Sequence, residues 1–367
     1  MKILIACDSF KGCLTSRQVG QQIEKGIHRY DPTIQTKRYS IADGGEGTVD
    51  AFLEAGHGKK VYVNTTDAYG KKISTYYTVI EQGKTAVLEV ANIIGLNMHA
   101  KEERAPFFGS SFGVGTVLLD AYKRGCRKII IGLGGSATND GGMGFLQALG
   151  ARFYDNDHKY ISPIAMNLSK VRYIDLNRLQ KLEDVELIAA CDVKNYLLGE
   201  EGATYVFGKQ KGLYPNQIKK LDAGMKNYCD QFCRYIHLDL NTIEGGGAAG
   251  GIGAVLIGVL KAKMVPGIQL LLQYSDLEKQ LRSCDLVITG EGQSDRQTLF
   301  GKVPYGILQV AKRHHKPIIC ISGALGLGYD ALFEEGFVGI FSIADRAMTF
   351  QQALELAPQK LEDSTYN

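Results

Sequence analysis

Four apolar runs in this chain each end in an acidic residue that opens a polar, mostly glycine-rich turn: KILIAC before Asp8, YSIA before Asp43, ELIAAC before Asp192 and DLVITG before Glu291. Short continuous apolar runs bounded by turn residues read as buried strands of a parallel sheet. In an open α/β sheet, ligands sit outside the carboxyl ends of the strands, where side chains and loop amides converge. The four acids are therefore expected at a shared polar site. Desolvating a carboxylate costs roughly several kcal/mol per ion, so a cluster of them calls for a metal ion or for proton chemistry.

The order of the elements sets the architecture. Residues 2–7 form a strand, Thr15 or Ser16 caps a helix running to about Tyr30, residues 34–41 form a second strand, and a helix from about Gly47 to Glu54 follows the ADGGEG turn. At Lys59 the pattern changes: KKVYVNTT, KISTYYTVI and KTAVLEVA alternate apolar and polar residues between short turns, the sign of an antiparallel region. Helix and strand resume with a helix from Phe112 to about Arg124, the strand KIIIGL, the turn GGSATNDGG and a short helix. After ELIAACD come a helix from Asn216 to about Arg234 and the segment EGGGAAGGIGA, which leads into an apolar helix. From Asp285 onward the chain returns to plain strand–helix alternation, with a helix from Val303 to His314. At 367 residues the chain exceeds the size at which one core stops growing. The expectation is a two-domain α/β protein: a discontinuous Rossmann-like parallel-sheet domain, residues 1–64 plus 275–367, with a mixed α/β domain, residues 65–274, inserted into it. A cleft between them would gather the acidic turns.

Charge and composition narrow the partners. The 42 basic and 39 acidic residues leave a net +3, which gives no electrostatic case for nucleic acid or an anionic membrane, and a small molecule is expected instead. No apolar stretch reaches the length of a membrane span, and the chain opens on a strand-like run rather than a signal sequence, so a cytoplasmic location is expected. Eight cysteines are scattered singly, without a CxxC pair, and read as reduced thiols. Cys229, Cys233 and His237 are spaced by four; the buried stripe of an amphipathic helix explains that spacing better than a zinc site.

The turns carry the chemistry. DSFKG supplies an acid, a hydroxyl and a lysine: Asp8 to hold magnesium or accept a proton, Ser9 to meet the substrate, and Lys11 to neutralise a phosphate or a substrate carboxylate. A turn cap alone would explain Asp8 but not the lysine beside it. ADGGEGT places Asp43 and Glu46 around two glycines for ligand or metal contact, although helix capping accounts for one of them. GGSATNDGG reads as a phosphate-holding turn in which Gly134 and Gly135 free backbone amides, Ser136 and Thr138 add donors, and the next helix presents its positive end. Asn139 and Asp140 stand ready for substrate or metal. The same stretch also reads G-x-G-x-x-A from Gly132, with Asp155 further on, a weak dinucleotide signature. Gly141 and Gly142 oppose it by breaking the helix which that fingerprint requires. The Walker A sequence, the protein-kinase motifs and H-E-x-x-H are all missing. Phosphoryl transfer fits what remains. Its rivals are an NAD(P)-dependent hydroxy-acid oxidoreductase and a non-catalytic small-ligand-binding protein.

Taken in order, DSFKG, ADGGEGT, GGSATNDGG, CDV with Asn195, VFGKQKG, GGGAAGGIGA and TGEGQSDRQTLFGK resemble the successive motifs of the type I glycerate kinase family, from Asp8 to Lys302. The resemblance implies two α/β domains around a cleft and ATP- and Mg2+-dependent phosphorylation of D-glycerate. It favours 2-phosphoglycerate as product, with 3-phosphoglycerate as the alternative. Three positions depart from the family pattern: Cys7 and Tyr196 replace prolines, and Lys209 replaces the proline of GPQKG, adding a cation near the phosphate loop. On this basis Asp192 is the first candidate for general base on the glycerate hydroxyl and Asp8 the second. Glu291, Asp295 and Glu46 are candidates for magnesium or its waters, and Lys302 for a phosphate contact. Lys11 would hold the substrate carboxylate or the transferred phosphoryl group. A solvated turn remains the alternative for Glu291, and a helix cap or surface charge for Asp295 and Lys302. A homo-oligomer is compatible with all of this.

Overall fold

A computed structural model describes residues 1–180 and 182–367 of the chain. It is a mixed α/β structure that divides into two compact units: Met1–Asp43 with Asp50–His57 and Pro266–Asn367, and Gly44–Val49 with Gly58–Val265.

The first unit is built on five parallel strands. In spatial order they are Gly339–Ser342, Ile318–Ser322, Leu286–Thr289, Lys2–Cys7 and Gln35–Ser40. Numbered along the chain, this is the order 2-1-3-4-5, the flavodoxin-like member of the doubly wound class. The order reverses between Lys2–Cys7 and Leu286–Thr289, and their carboxyl ends form the topological switch point where such sheets bind ligands. Lys2–Cys7 is central and almost wholly buried, as its unbroken apolar run requires, whereas Gln35–Ser40 lies at the edge and is polar and half exposed. Helix Ser16–Tyr30 opens with a capping box in which Thr15 accepts from the Gln18 amide and the Gln18 side chain answers the Thr15 amide. Its Val19, Ile23 and Ile27 pack with Ile3, Ile5 and Leu361 in the core of this unit.

The second unit holds six strands in the order Lys263–Val265, Glu186–Ala190, Lys128–Gly132, Thr85–Glu89, Lys72–Ile80 and Lys59–Thr66. The first four are mutually parallel and the last three antiparallel, so the alternating segments near Lys59 form the antiparallel side of the sheet. Its core gathers Leu88, Ile129, Ile131, Phe145, Phe153 and Phe232. Helix Pro215–Ile236 buries Cys229 in its apolar stripe, leaves Cys233 exposed, and ends at His237, which takes a left-handed conformation. Several elements were not anticipated: the three-residue edge strand Lys263–Val265, the antiparallel pair Arg152–Tyr154 with Tyr173–Asp175, and helices Gly267–Tyr274 and Leu277–Arg282. The strands are too short to show a period of two. No described helix is long and apolar enough to cross a membrane.

Candidate active site

At the switch point of the first unit the chain leaves both central strands through acid-bearing turns. The Asp8 amide donates to the Gly290 carbonyl at 2.8 Å, which ties the DSFKG turn to the GEG turn. Gly290 is required there, because a Cβ would lie 2.0 Å from the Ile321 carbonyl oxygen. Asp8 is buried, with Oδ1 accepting from the Ser9 amide at 2.7 Å. The neighbouring Ser9 hydroxyl is buried without a hydrogen-bond partner among the described residues. Lys11 extends from the same turn, largely exposed, to 3.4 Å from Asp43 Oδ2.

The opposite wall comes from TGEGQSDRQTLFGK. Glu291 Oε1 accepts from Ser294 Oγ at 3.0 Å and Thr298 Oγ1 at 2.6 Å, and Oε2 lies 3.2 Å from Lys302 Nζ. Asp295 caps the following turn, accepting from the Gln297 amide at 2.8 Å and the Gln293 side chain at 3.1 Å, with Lys302 3.8 Å away. Thus the fold brings seven of the sequence candidates, Asp8, Ser9, Lys11, Asp43, Glu291, Asp295 and Lys302, into one unit. Five of them, all but Asp43 and Asp295, line a cavity of about 450 Å3.

The electrostatics follow from burial. Desolvation pushes the Asp8 carboxyl well above the usual carboxylate range, Asp43 adds to the rise, and Lys11 and the Ser9 amide oppose it. Glu291 is also raised by burial, against the pull of Lys302, Thr298 and Ser294. Lys11 is raised, first by Asp43 and further by Asp8. A buried acid of raised pKa is suited to accepting a proton, and the two lysines present positive charge to an anionic ligand. Among the described residues no three His, Cys, Asp or Glu side chains assemble as a metal cage. Magnesium needs none, since it keeps several waters and takes one or two carboxylates plus phosphate oxygens. Glu291, buried and raised in pKa, suits that role. Asp295, whose oxygens are likewise engaged within the protein, does not line the cavity, whereas Glu291 does.

The remaining candidates belong to the second unit. Glu89, Gly132 and Ala190 lie side by side at the ends of their strands. Gly44 packs onto this row with φ +91°, where a Cβ would meet the Ala190 carbonyl at 2.5 Å. Asp192 is half-buried two residues beyond Ala190, and Glu46 is exposed and accepts from Asn97 at 2.9 Å. Glu89 escaped sequence reasoning. Its carboxylate, buried to 1 % exposure, accepts from the amides of Gly47 at 3.1 Å and Val49 at 3.0 Å and so shapes the ADGGEGT turn. The signal was present: TAVLE is a further apolar run ending in an acid.

The GGSATNDGG loop is more internally bonded than its composition implies. The Gly134 amide donates to the Gly44 carbonyl at 3.0 Å, whereas Gly135 is exposed. Asp140, fully buried, accepts from the Ser111 amide (2.7 Å) and hydroxyl (2.8 Å), the Gly144 amide (3.1 Å) and the Gly142 amide (3.3 Å). Its pKa is raised by burial, with those donors opposing the shift. The following helix, Met143–Ala148, is therefore closed from within by Asp140 and Ser111 and does not present the free positive end expected of it. Gly141 and Gly142 adopt left-handed φ of 64° and 70°, so the helix begins only after them and the dinucleotide fingerprint is not built. Asn139 Nδ2 donates to Thr204 at 2.8 Å, while Asn139 Oδ1 and the Thr138 hydroxyl are buried without partners among the described residues. The cation at this loop is Lys211, not the exposed Lys209. Its ammonium, on a residue 3 % exposed, donates to Ser136 Oγ at 3.0 Å and the Thr138 carbonyl at 2.6 Å. Burial lowers its pKa to about 7, against the pull of Asp140.

Comparison with known proteins points one way. The model of the glycerate kinase family matches residues 3–367. The chain is 39 % identical to a glycerate kinase of Halalkalibacterium halodurans, covering 100 % of this chain and 96 % of that one. It is 40 % identical to the glycerate 2-kinase of Escherichia coli K12, over 96 % of this chain and 93 % of that one. A crystal structure assigned to glycerate kinase 2 of Salmonella typhimurium LT2 superposes with a TM-score of 0.80 at 38 % identity, covering 100 % of this chain and 96 % of that one.

Proposed function

The chain is an enzyme of the glycerate kinase family, and from that premise we propose that it transfers the terminal phosphoryl group of ATP to the 2-hydroxyl of D-glycerate, with Asp8 as general base. The observation that carries the reading is the buried Asp8 at the switch point, its pKa held up by desolvation and Asp43 while Lys11 stands beside it. A base of raised pKa is better matched to a hydroxyl proton at neutral pH than an ordinary carboxylate. For that reason Asp8 takes precedence over Asp192 in this reading. The E. coli relative's name supports the 2-phosphate over the 3-phosphate as product.

In the reaction, Asp8 accepts the proton of the substrate hydroxyl as its oxygen attacks phosphorus. Ser9, whose hydroxyl has no partner among the described residues, orients the substrate, and Lys11, held by its ion pair with Asp43, receives its carboxylate. Lys302 contacts the phosphates, and the Ser294 and Thr298 hydroxyls fix Glu291 in place. Glu291 would hold magnesium directly or through its waters, and that ion, when bound, neutralises charge on the phosphoryl oxygens. Asn139 and Asp140 keep the GGSATNDGG loop of the second unit in shape. Family membership sets aside the oxidoreductase and non-catalytic readings. The absence of a membrane-spanning helix among the described residues is consistent with a cytoplasmic kinase.

The test is release of ADP from MgATP by the purified protein, with D-glycerate against L-glycerate and lactate, followed by phosphorus NMR of the product. Release that depends on D-glycerate, with the phosphate on carbon 2, is the expected result. No glycerate-dependent release from folded protein would refute the activity, and a phosphate on carbon 3 would refute the regiochemistry.

A further inference from the structure

The cavity at the switch point has two chemically distinct halves. Asp8, Lys11, Glu291 and Lys302 line one, whereas the other is bounded by Ile343 and Met348 and by Phe350, Ala353, Leu354 and Ala357 of helix Phe350–Tyr366. Those four helical positions follow the i, i+3, i+4, i+7 spacing of a single helix face. D-Glycerate, a carboxylate with two hydroxyls on three carbons, has no apolar part to set against that wall. A nucleoside triphosphate has both parts: phosphates for the Lys302 ammonium and an aromatic base for the apolar face. The volume of about 450 Å3 lies in the range that holds such ligands.

We propose that the apolar half of this cavity is the nucleobase pocket, with Phe350 as the stacking ring at its rim. This inference rests on the ATP-dependent reading above. Phe350 is 78 % exposed at the first turn of its helix, so its ring face is available to a base. The two polar side chains of this half are already engaged: the Cys13 thiol donates to the Leu354 carbonyl at 3.1 Å, and Lys360 is ion-paired with Asp345. Recognition of the base therefore runs through contact area and stacking, which discriminate weakly between purines.

The experiment measures binding of MgADP and of inorganic tripolyphosphate to the full chain by calorimetry. Ala353→Phe, which fills the pocket, should weaken ADP about tenfold or more while leaving tripolyphosphate unchanged, and exposed Phe350→Ala, which does not threaten folding, should weaken ADP about tenfold. ADP binding at the wild-type level in both variants would overturn the proposal. Equal loss of ADP and tripolyphosphate would overturn it too, because the damage would then lie at the phosphate end. GTP should support turnover within about tenfold of ATP; strict preference for ATP would refute recognition by contact alone. If the wild type binds ADP but shows no glycerate-dependent turnover, the kinase reading fails while the binding comparison still decides the pocket.

Discussion

Replacing Asp8 by asparagine should move activity and stability in opposite directions. The substitution keeps the size of the side chain and an oxygen to accept from the Ser9 amide, but removes the charge and the proton acceptor. Losing a positioned general base lowers turnover by about 10²- to 10⁴-fold. For the fold the balance reverses. An ionised carboxylate buried to this degree carries a desolvation penalty of several kcal/mol, to which Asp43 and Glu291 add repulsion. Lys11 offsets part of it, and so does the amide bond, which weakens from about 1.5–3 to about 0.5–1.5 kcal/mol when its acceptor becomes neutral. The net expectation is a variant more stable by about 1–2 kcal/mol near pH 8, seen as a rise of a few degrees in the unfolding midpoint. The pH dependence fixes the sign. Because the folded-state pKa of Asp8 lies above the unfolded value of about 4, the folded protein keeps a proton over the interval between them that the unfolded chain has released. Wild-type stability from this group is thus full below about pH 4 and is lost as pH rises through the folded value, so the variant's advantage should open across that window and vanish in acid. Calorimetric midpoints across pH, paired with single-turnover rates, make the assay. Asp192→Asn is the control and should retain turnover within about tenfold. A variant at Asp8 that is both inactive and destabilised would refute the electrostatic reasoning, and a loss of about 10²-fold at Asp192 with little at Asp8 would move the base to Asp192.

Two further expectations concern the second unit. Lys211, with a folded pKa of about 7 against an unfolded value of about 10.4, should make the protein more stable as pH rises between those values, because the unfolded chain alone holds the proton there. Urea midpoints at the two ends of that window should show the slope in wild type and lose it in Lys211→Met; an unchanged slope would mean that the lysine is not buried as described. Asp140→Ala should destabilise the fold by about 3 kcal/mol or more, since it leaves the Ser111 and loop donors without their acceptor. A variant of normal stability with only a raised Michaelis constant for glycerate would instead make Asp140 a substrate contact.

Much of the scaffold was legible because its signals are local. Each central strand is an unbroken apolar run, and Thr15 with Gln18 is a capping box readable within four residues. The strand order was not legible, because nothing local in DLVITG says that it pairs with KILIAC from the other end of the chain. The same limit explains the acids. Asp43 and Asp140 look alike in sequence, each inside a glycine-rich turn. Only the arrival of Ser111 from another segment turns Asp140 into an internal brace. Lys209 drew attention as a departure from the family pattern, yet it faces solvent, while the unremarked Lys211 reaches the loop.

That contrast separates two uses of a buried charge. Asp140 and Glu89 are surrounded by backbone donors that belong to the turns they shape, so each carboxylate satisfies amides that would otherwise lie buried and unbonded. Among the described residues, Asp8 accepts only from the amide beside it and is otherwise set among charged side chains, Asp43, Lys11 and Glu291, while the hydroxyl of Ser9 next to it has no partner. A carboxylate in the first setting contributes most of its effect to the fold and should be missed thermodynamically when removed. A carboxylate in the second is held in a costly state by the strands beneath it, and the hydrogen bonds it lacks are those a substrate hydroxyl would make. The number of backbone donors around each buried acid, rather than its burial alone, is therefore what separates Asp8, the proposed general base, from Glu89 and Asp140.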